Sequence, residues 1–151
     1  MSNNKNELKI YSEELDTVDI KKYGFSDSDS RIIASRIQNP SFKSYNKKQK
    51  VKLAETLVSI CDFLQIKDIP EPKRFVMLSD FLIINYPNNT LSDLNTAINL
   101  SITNRLPIEN NHYQSFSPLY ISRILNAYNV YIAPRLNKYH QALENAKVPV
   151  K

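Results

Sequence analysis

Glycine is almost missing: Gly24 is the only one in 151 residues, where average usage would supply about ten. Phosphate-cradling loops, dinucleotide fingerprints and nucleophile elbows all need glycines at fixed places, so those enzyme classes are excluded. Cysteine is equally scarce. Cys61 alone cannot build an internal disulfide framework or a cysteine-based zinc or iron–sulfur site. Tryptophan is absent. No apolar run nears the ~20 residues of a membrane span, and the polar start MSNNKNELK does not read as a signal peptide. The expectation is a soluble protein of a reducing, cytoplasmic compartment, with no membrane partner.

Titratable chemistry is thin as well. The two histidines, His112 and His140, lie 28 positions apart without a nearby second nitrogen or thiolate, which is not metal-ligand spacing. Cys61 falls on an apolar helix stripe, where cysteines pack and stay inert. Carboxylates such as Asp62, Asp68, Glu71 and Asp80 are scattered over helix ends and faces, without the convergence that acid/base catalysis needs. The expectation is a non-enzyme with no catalytic residue, no metal and no cofactor.

What is present is a globular core composition: 42% hydrophobic and 23% charged, far above the apolar content of a disordered chain. Residues 1–25 show no sustained periodicity and read as an N-terminal arm. Residues 26–151 read as one compact, all-α domain of five to six helices. Ser26 to Ser30 supply helix-capping chemistry for a helix from about 28 to 38 burying Ile32, Ile33 and Ile37. Asn39-Pro40 ends it. The next helix, about 46–65, has Val51, Ala54, Leu57, Val58, Cys61 and Leu64 at three- and four-residue spacing. After Pro70-Glu71, a helix opens at Pro72, since proline suits the first helical position. Its girth of Phe75, Val76, Met77, Leu78, Phe81, Leu82, Ile83 and Ile84 predicts burial on more than one side.

Thr90 with Asp93 predicts a capped helix to about 104 with Leu94, Ala97, Ile98, Ser101 and Ile102 inward. A loop of about 105–116 follows. Ser117-Pro118 then starts a helix whose stripe is Tyr120 or Ile121, Ile124, Leu125, Tyr128 and Ile132. Pro134 is expected to kink or split it, leaving a last helical piece to about 146.

Charge is uneven. The net charge is +5, but residues 43–52 carry Lys43, Lys47, Lys48, Lys50 and Lys52 without an acid, and 135–151 are also basic. Lysines at a helix start oppose the helix dipole. They suit either a solvated face or phosphate, held as a backbone without reading bases. These five lysines are the candidate nucleic-acid contacts, with Lys47, Lys48, Lys50 and Lys52 expected to share one exposed surface.

From Arg74 to Tyr128 the chain reads Phe75-Val76-Met77-Leu78, Tyr86-Pro87, Thr90-Leu91-Ser92-Asp93-Leu94, then His112-Tyr113-Gln114-Ser115-Phe116-Ser117-Pro118-Leu119-Tyr120. This layout resembles small helical bacteriophage replication accessory proteins of the replicative-helicase loader or loader-inhibitor type. In that class a helix ends in Tyr-Pro, a Thr- or Ser-capped helix follows, and a Phe-(Ser/Pro)-Pro turn opens the next helix after a loop. The likeness covers about a third of the chain. It departs in lacking a tryptophan in the third helix and the nucleotide-binding half of ATP-driven loaders. The resemblance therefore implies an adaptor or inhibitor that binds a replicative helicase or related DNA-bound machine in the host cytoplasm. The lysines would hold DNA or an acidic partner surface, and His112, Tyr113 and Tyr120 would contact the protein partner. A virion component packed near DNA, or a general nucleic-acid-binding helical protein, fits the same basic, aromatic-rich composition.

Overall fold

The computed structural model describes residues 20–108 and 116–147. Every regular element among them is helical: α1 (Asp27–Gln38), a 3₁₀ turn (Phe42–Ser44), α2 (Lys47–Phe63), α3 (Pro72–Asn85), α4 (Leu91–Ile102) and α5 (Pro118–Lys147). The chain is all-α. None of the described helices is long and apolar enough to cross a membrane. The described residues gather in two units, 20–39 with 129–147 and 40–108 with 116–128.

Local chemistry sets the helix starts. Ser26 Oγ accepts from the Asp29 amide and caps α1. Asn46 and Gln49 form a reciprocal capping box on α2, each side chain accepting the other's backbone N–H. Thr90 and Asp93 do the same on α4. Ser117 Oγ accepts from the Tyr120 amide ahead of α5, which opens on Pro118.

The helix ends show how a chain with one glycine manages its stops. After α2, Gln65 takes a left-handed φ of 56°; its amide bonds Asp62 O and the Ile66 amide bonds Cys61 O. After α4, Asn104 at φ 58° repeats the pattern, with Arg105 bonding back to Leu100 O. Both are Schellman closures, in which glycine is the usual left-handed residue. Gly24 itself sits at φ 88° in the turn before α1, where a side chain would be strained.

In the first unit, Ile20, Phe25, Ile33 and Ala34 share a core, with Tyr23 and Tyr139 packed against it. This corrects the boundary placed after Phe25, because the segment from Ile20 on belongs to the packed fold. The Arg135 guanidinium ties α5 to α1. It donates to Asp29 Oδ1 at 3.0 Å and lies 3.7 Å above the Tyr131 ring. It also donates to Tyr131 O at 2.7 Å. That last bond bears on Pro134. Residues 118–147 form one unbroken helix rather than two pieces. Pro134 and Val130 are both exposed, so the carbonyl left without an N–H donor can turn to water. Arg135 serves the carbonyl next along the chain.

In the second unit, Leu53, Leu57, Ile60, Leu78, Leu82, Leu94, Ile98, Ile121, Ile124, Leu125 and Tyr128 make the core. Phe42, between α1 and α2, is fully buried and stacks edge-on with Tyr45, 5.3 Å between centroids. Its amide bonds Asn89 O, the Lys43 amide bonds Pro87 O, and Ser41 pairs with Thr90 in an isolated bridge. The segment before α2 is thereby pinned to the turn between α3 and α4. At that turn Tyr86 donates its hydroxyl to Asn126 Oδ1 of α5 at 2.8 Å.

Candidate docking groove and basic segment

The apolar residues of α2 fall on two stripes. Leu53, Leu57 and Ile60 point inward with Cys61 beside them. Val51, Ala54 and Val58 form a second stripe about 120° round the helix, at 100° per residue. The first stripe is in the core, whereas Val51 is 58% and Val58 46% exposed. Burial of Val51 and Val58, expected from spacing, is thus corrected, since a row of apolar residues at helical spacing does not say which of two rows meets the core.

On α3 the buried face is Phe75, Leu78, Ser79 and Leu82. Val76, Met77 and Ile84 are 56%, 66% and 74% exposed, so the expected multi-sided burial does not occur. Ile37 of α1 and Ile102 of α4 also lie on the surface. The two outward stripes of α2 and α3 meet the connector at Ile69, Pro70 and Pro72 and enclose a groove of about 570 Å³. Phe75 and Ser79 line its base, and the Ser79 hydroxyl is turned into its own helix, donating to Phe75 O at 2.8 Å. Lys50, Glu55 and Asp80 are the charged residues that border it. The wall between those charges is built of valine, alanine, isoleucine and proline. What it offers is apolar area to a partner surface.

Lys43, Lys47, Lys48, Lys50 and Lys52 are all exposed, and α2 has no acid in its first turn. Their arrangement differs from the single surface expected. Lys47 continues the row of Val51, Ala54 and Val58. Lys50 borders the groove, and Lys48 and Lys52 lie about 100–140° round the helix from Lys47. The lysines fan around the start of α2 and crown one end of the groove.

Of the expected partner contacts, His112 and Tyr113 lie outside the described residues. Tyr120 is corrected: it is 8% exposed and packed 5.9 Å from the Phe116 ring, itself 6.5 Å from Phe75. Burial pushes its hydroxyl pKa up to about 12. The ring belongs to the core, because the turn that opens α5 directs position 120 inward along with Ile121 and Ile124.

The remaining chemically active side chains stand apart. Cys61 is buried, and desolvation raises its thiol pKa to about 12, leaving too little thiolate for nucleophilic work at neutral pH. His140 lies exposed on α5, its ring 5.9 Å from Tyr139. Among the described residues, no three of histidine, cysteine, aspartate and glutamate come together as a metal-binding group. Compared with known protein families, characterised proteins and solved structures, the chain matches none.

Proposed function

We propose that this chain is a non-enzymatic docking protein whose α2–α3 groove receives an apolar helical segment of a protein partner. The observation that carries the reading is the groove itself. Val51, Val58, Ile69 and Val76 are each about half exposed or more, converge from two helices and their connector, and carry no polar machinery. Apolar rows on two helices with a groove between them suit the knobs of a third helix. In this reading the partner is a replicative helicase or a related DNA-bound machine, supported by the resemblance of the Tyr86-Pro87 and Phe116-Ser117-Pro118 segments to phage replication accessories.

Val58→Glu tests the groove. Placing a charge at a half-exposed wall position should leave the thermal midpoint nearly unchanged, since exposed substitutions usually move stability by less than about 0.5 kcal/mol. Co-elution with a purified replicative helicase should fall by about 2 kcal/mol of binding or more, roughly thirtyfold. Co-elution unaffected by Val58→Glu and by Val76→Glu would remove the groove from the reading. No co-elution of the wild-type chain would remove the helicase.

The lysines add a second contact in this reading, to the phosphates of DNA held by the partner. What supports it is their exposure together with the lack of any acid between Lys43 and Ala54. Replacing Lys47, Lys48, Lys50 and Lys52 with glutamine should flatten the slope of log affinity against log salt. The expected change is about 0.9 for each lysine that holds a phosphate. A slope that stays the same in the quadruple variant assigns the lysines to solvation alone.

A further inference from the structure

We propose that the helix received by the α2–α3 groove carries lysine or arginine on both flanks of its apolar stripe, selected by Glu55 and Asp80. The proposal rests on reading the groove as a seat for a partner helix, and it names that helix's chemistry.

Helix geometry sets the two acids on opposite rims. On α3, Phe75 and Ser79 at the base of the groove are buried and lie to one side of Val76. Asp80, one turn after Val76, falls about 40° to its other side, at 100° per residue. On α2, Glu55 stands in the same relation to Val51, one turn on and about 40° round. Half-buried Ala54 lies on the opposite side of that valine, toward the core. Glu55 and Asp80 are both exposed, and both border the groove. Each wall thus has a carboxylate just outside its apolar row.

Among the described residues, neither carboxylate is ion-paired within the chain. Lys50 also borders the groove. It falls on the Ala54 side of Val51, one turn before Ala54, so it marks the end of the groove at the start of α2 rather than a rim. The C-terminus of an occupying helix, with its partial negative charge, suits that end. Lys48 and Asp62 lie seven residues either side of Glu55, and Lys73 seven before Asp80. They share those helix faces without lining the groove.

A helix seated with its apolar face down sets its flanking residues against the two rims. Basic flanks meet a carboxylate on either side. Acidic flanks would face like charge as the rims lose water, which discriminates against an acidic partner. The lysines around the start of α2 pull the other way, since a chain of net charge +5 attracts acidic segments at long range. Exposed charges further apart than ~8 Å are largely screened at physiological ionic strength, so the rims in contact with the occupant decide.

The probes are two synthetic helical peptides of two heptads, the length of the 14-residue α3. Both have leucine at a and d; one has lysine and the other glutamate at e and g. Binding to the full-length chain is read by fluorescence anisotropy at physiological salt. The basic peptide should bind more tightly, by roughly tenfold. Glu55→Gln with Asp80→Asn should abolish that preference, and Glu55→Lys with Asp80→Lys should reverse it. Thermal midpoints should hold in both double variants, because the two sites are exposed. Val58→Gln should weaken the basic peptide too, since it interrupts the apolar wall. Equal binding of the two peptides, tighter binding of the acidic one, or a preference that survives neutralising both acids overturns the basic occupant. The groove reading outlives each of those results as long as Val58→Gln still weakens binding. Binding of neither peptide, or binding that Val58→Gln leaves unchanged, removes the groove and the basic occupant together.

Discussion

Asp93→Ala is expected to remove about 3–5 kcal/mol of stability, a large share of the 5–15 kcal/mol typical of a folded domain. Asp93 is 1% exposed, and its carboxylate is a shared acceptor. Oδ2 takes the Thr90 amide at 2.9 Å and Asn89 Nδ2 at 3.3 Å, and Oδ1 takes the Tyr128 hydroxyl at 2.9 Å. The side chain therefore caps α4, fixes the turn before it, and ties both to α5. Alanine would leave several buried donors without this acceptor, each at about 1–3 kcal/mol. Tyr128→Phe removes a single donor and keeps the buried ring, so it should cost no more than about 1–2 kcal/mol. Urea unfolding monitored by circular dichroism checks both. A shift for Asp93→Ala no larger than that for Tyr128→Phe would show that the carboxylate acts as a cap and nothing more.

The cap half of that network is readable in the sequence, and the tie to Tyr128 is not. Thr90 followed three residues later by an acid is local chemistry, as are Ser26 before α1, Pro72 at the start of α3 and Ser117-Pro118 before α5. A helix start depends on neighbours along the chain, which the sequence prints side by side. The hydroxyl that answers Asp93 comes from 35 residues away and depends on how α5 packs. The same divide separates the helices from the groove. Spacing locates an apolar row but is silent on what stands opposite it, so Val51 and Val58 read as core when α2 in fact turns Leu53, Leu57 and Ile60 inward. Tyr120 shows the converse error. A tyrosine next to a loop looks available to a partner, yet its register within α5 decides otherwise. Pro134 shows a third limit. Its penalty is real, but on the exposed side of a long helix the freed carbonyl can turn to water.

Phe42→Ala is the other substitution with a large expected effect, about 3–5 kcal/mol for a fully buried ring. Nothing in the sequence marks Phe42, because it lies outside every periodic segment, between Pro40 and the Asn46 cap. Its ring is fully buried, and its amide bond to Asn89 O holds the chain at the turn joining α3 to α4. Alanine would leave a cavity at that site. The consequence reaches beyond stability, since Phe42 immediately precedes Lys43 and anchors the approach to the lysines of α2. Losing the ring should therefore loosen the basic segment as the fold weakens. Hydrogen exchange is expected to rise first at the Phe42 and Lys43 amides, whose bonds to Asn89 O and Pro87 O form the anchor. Tyr45→Ala removes the half-buried partner ring and should cost distinctly less. Equal losses for the two aromatic substitutions would mean that the stacked pair, rather than the buried ring, holds the segment in place.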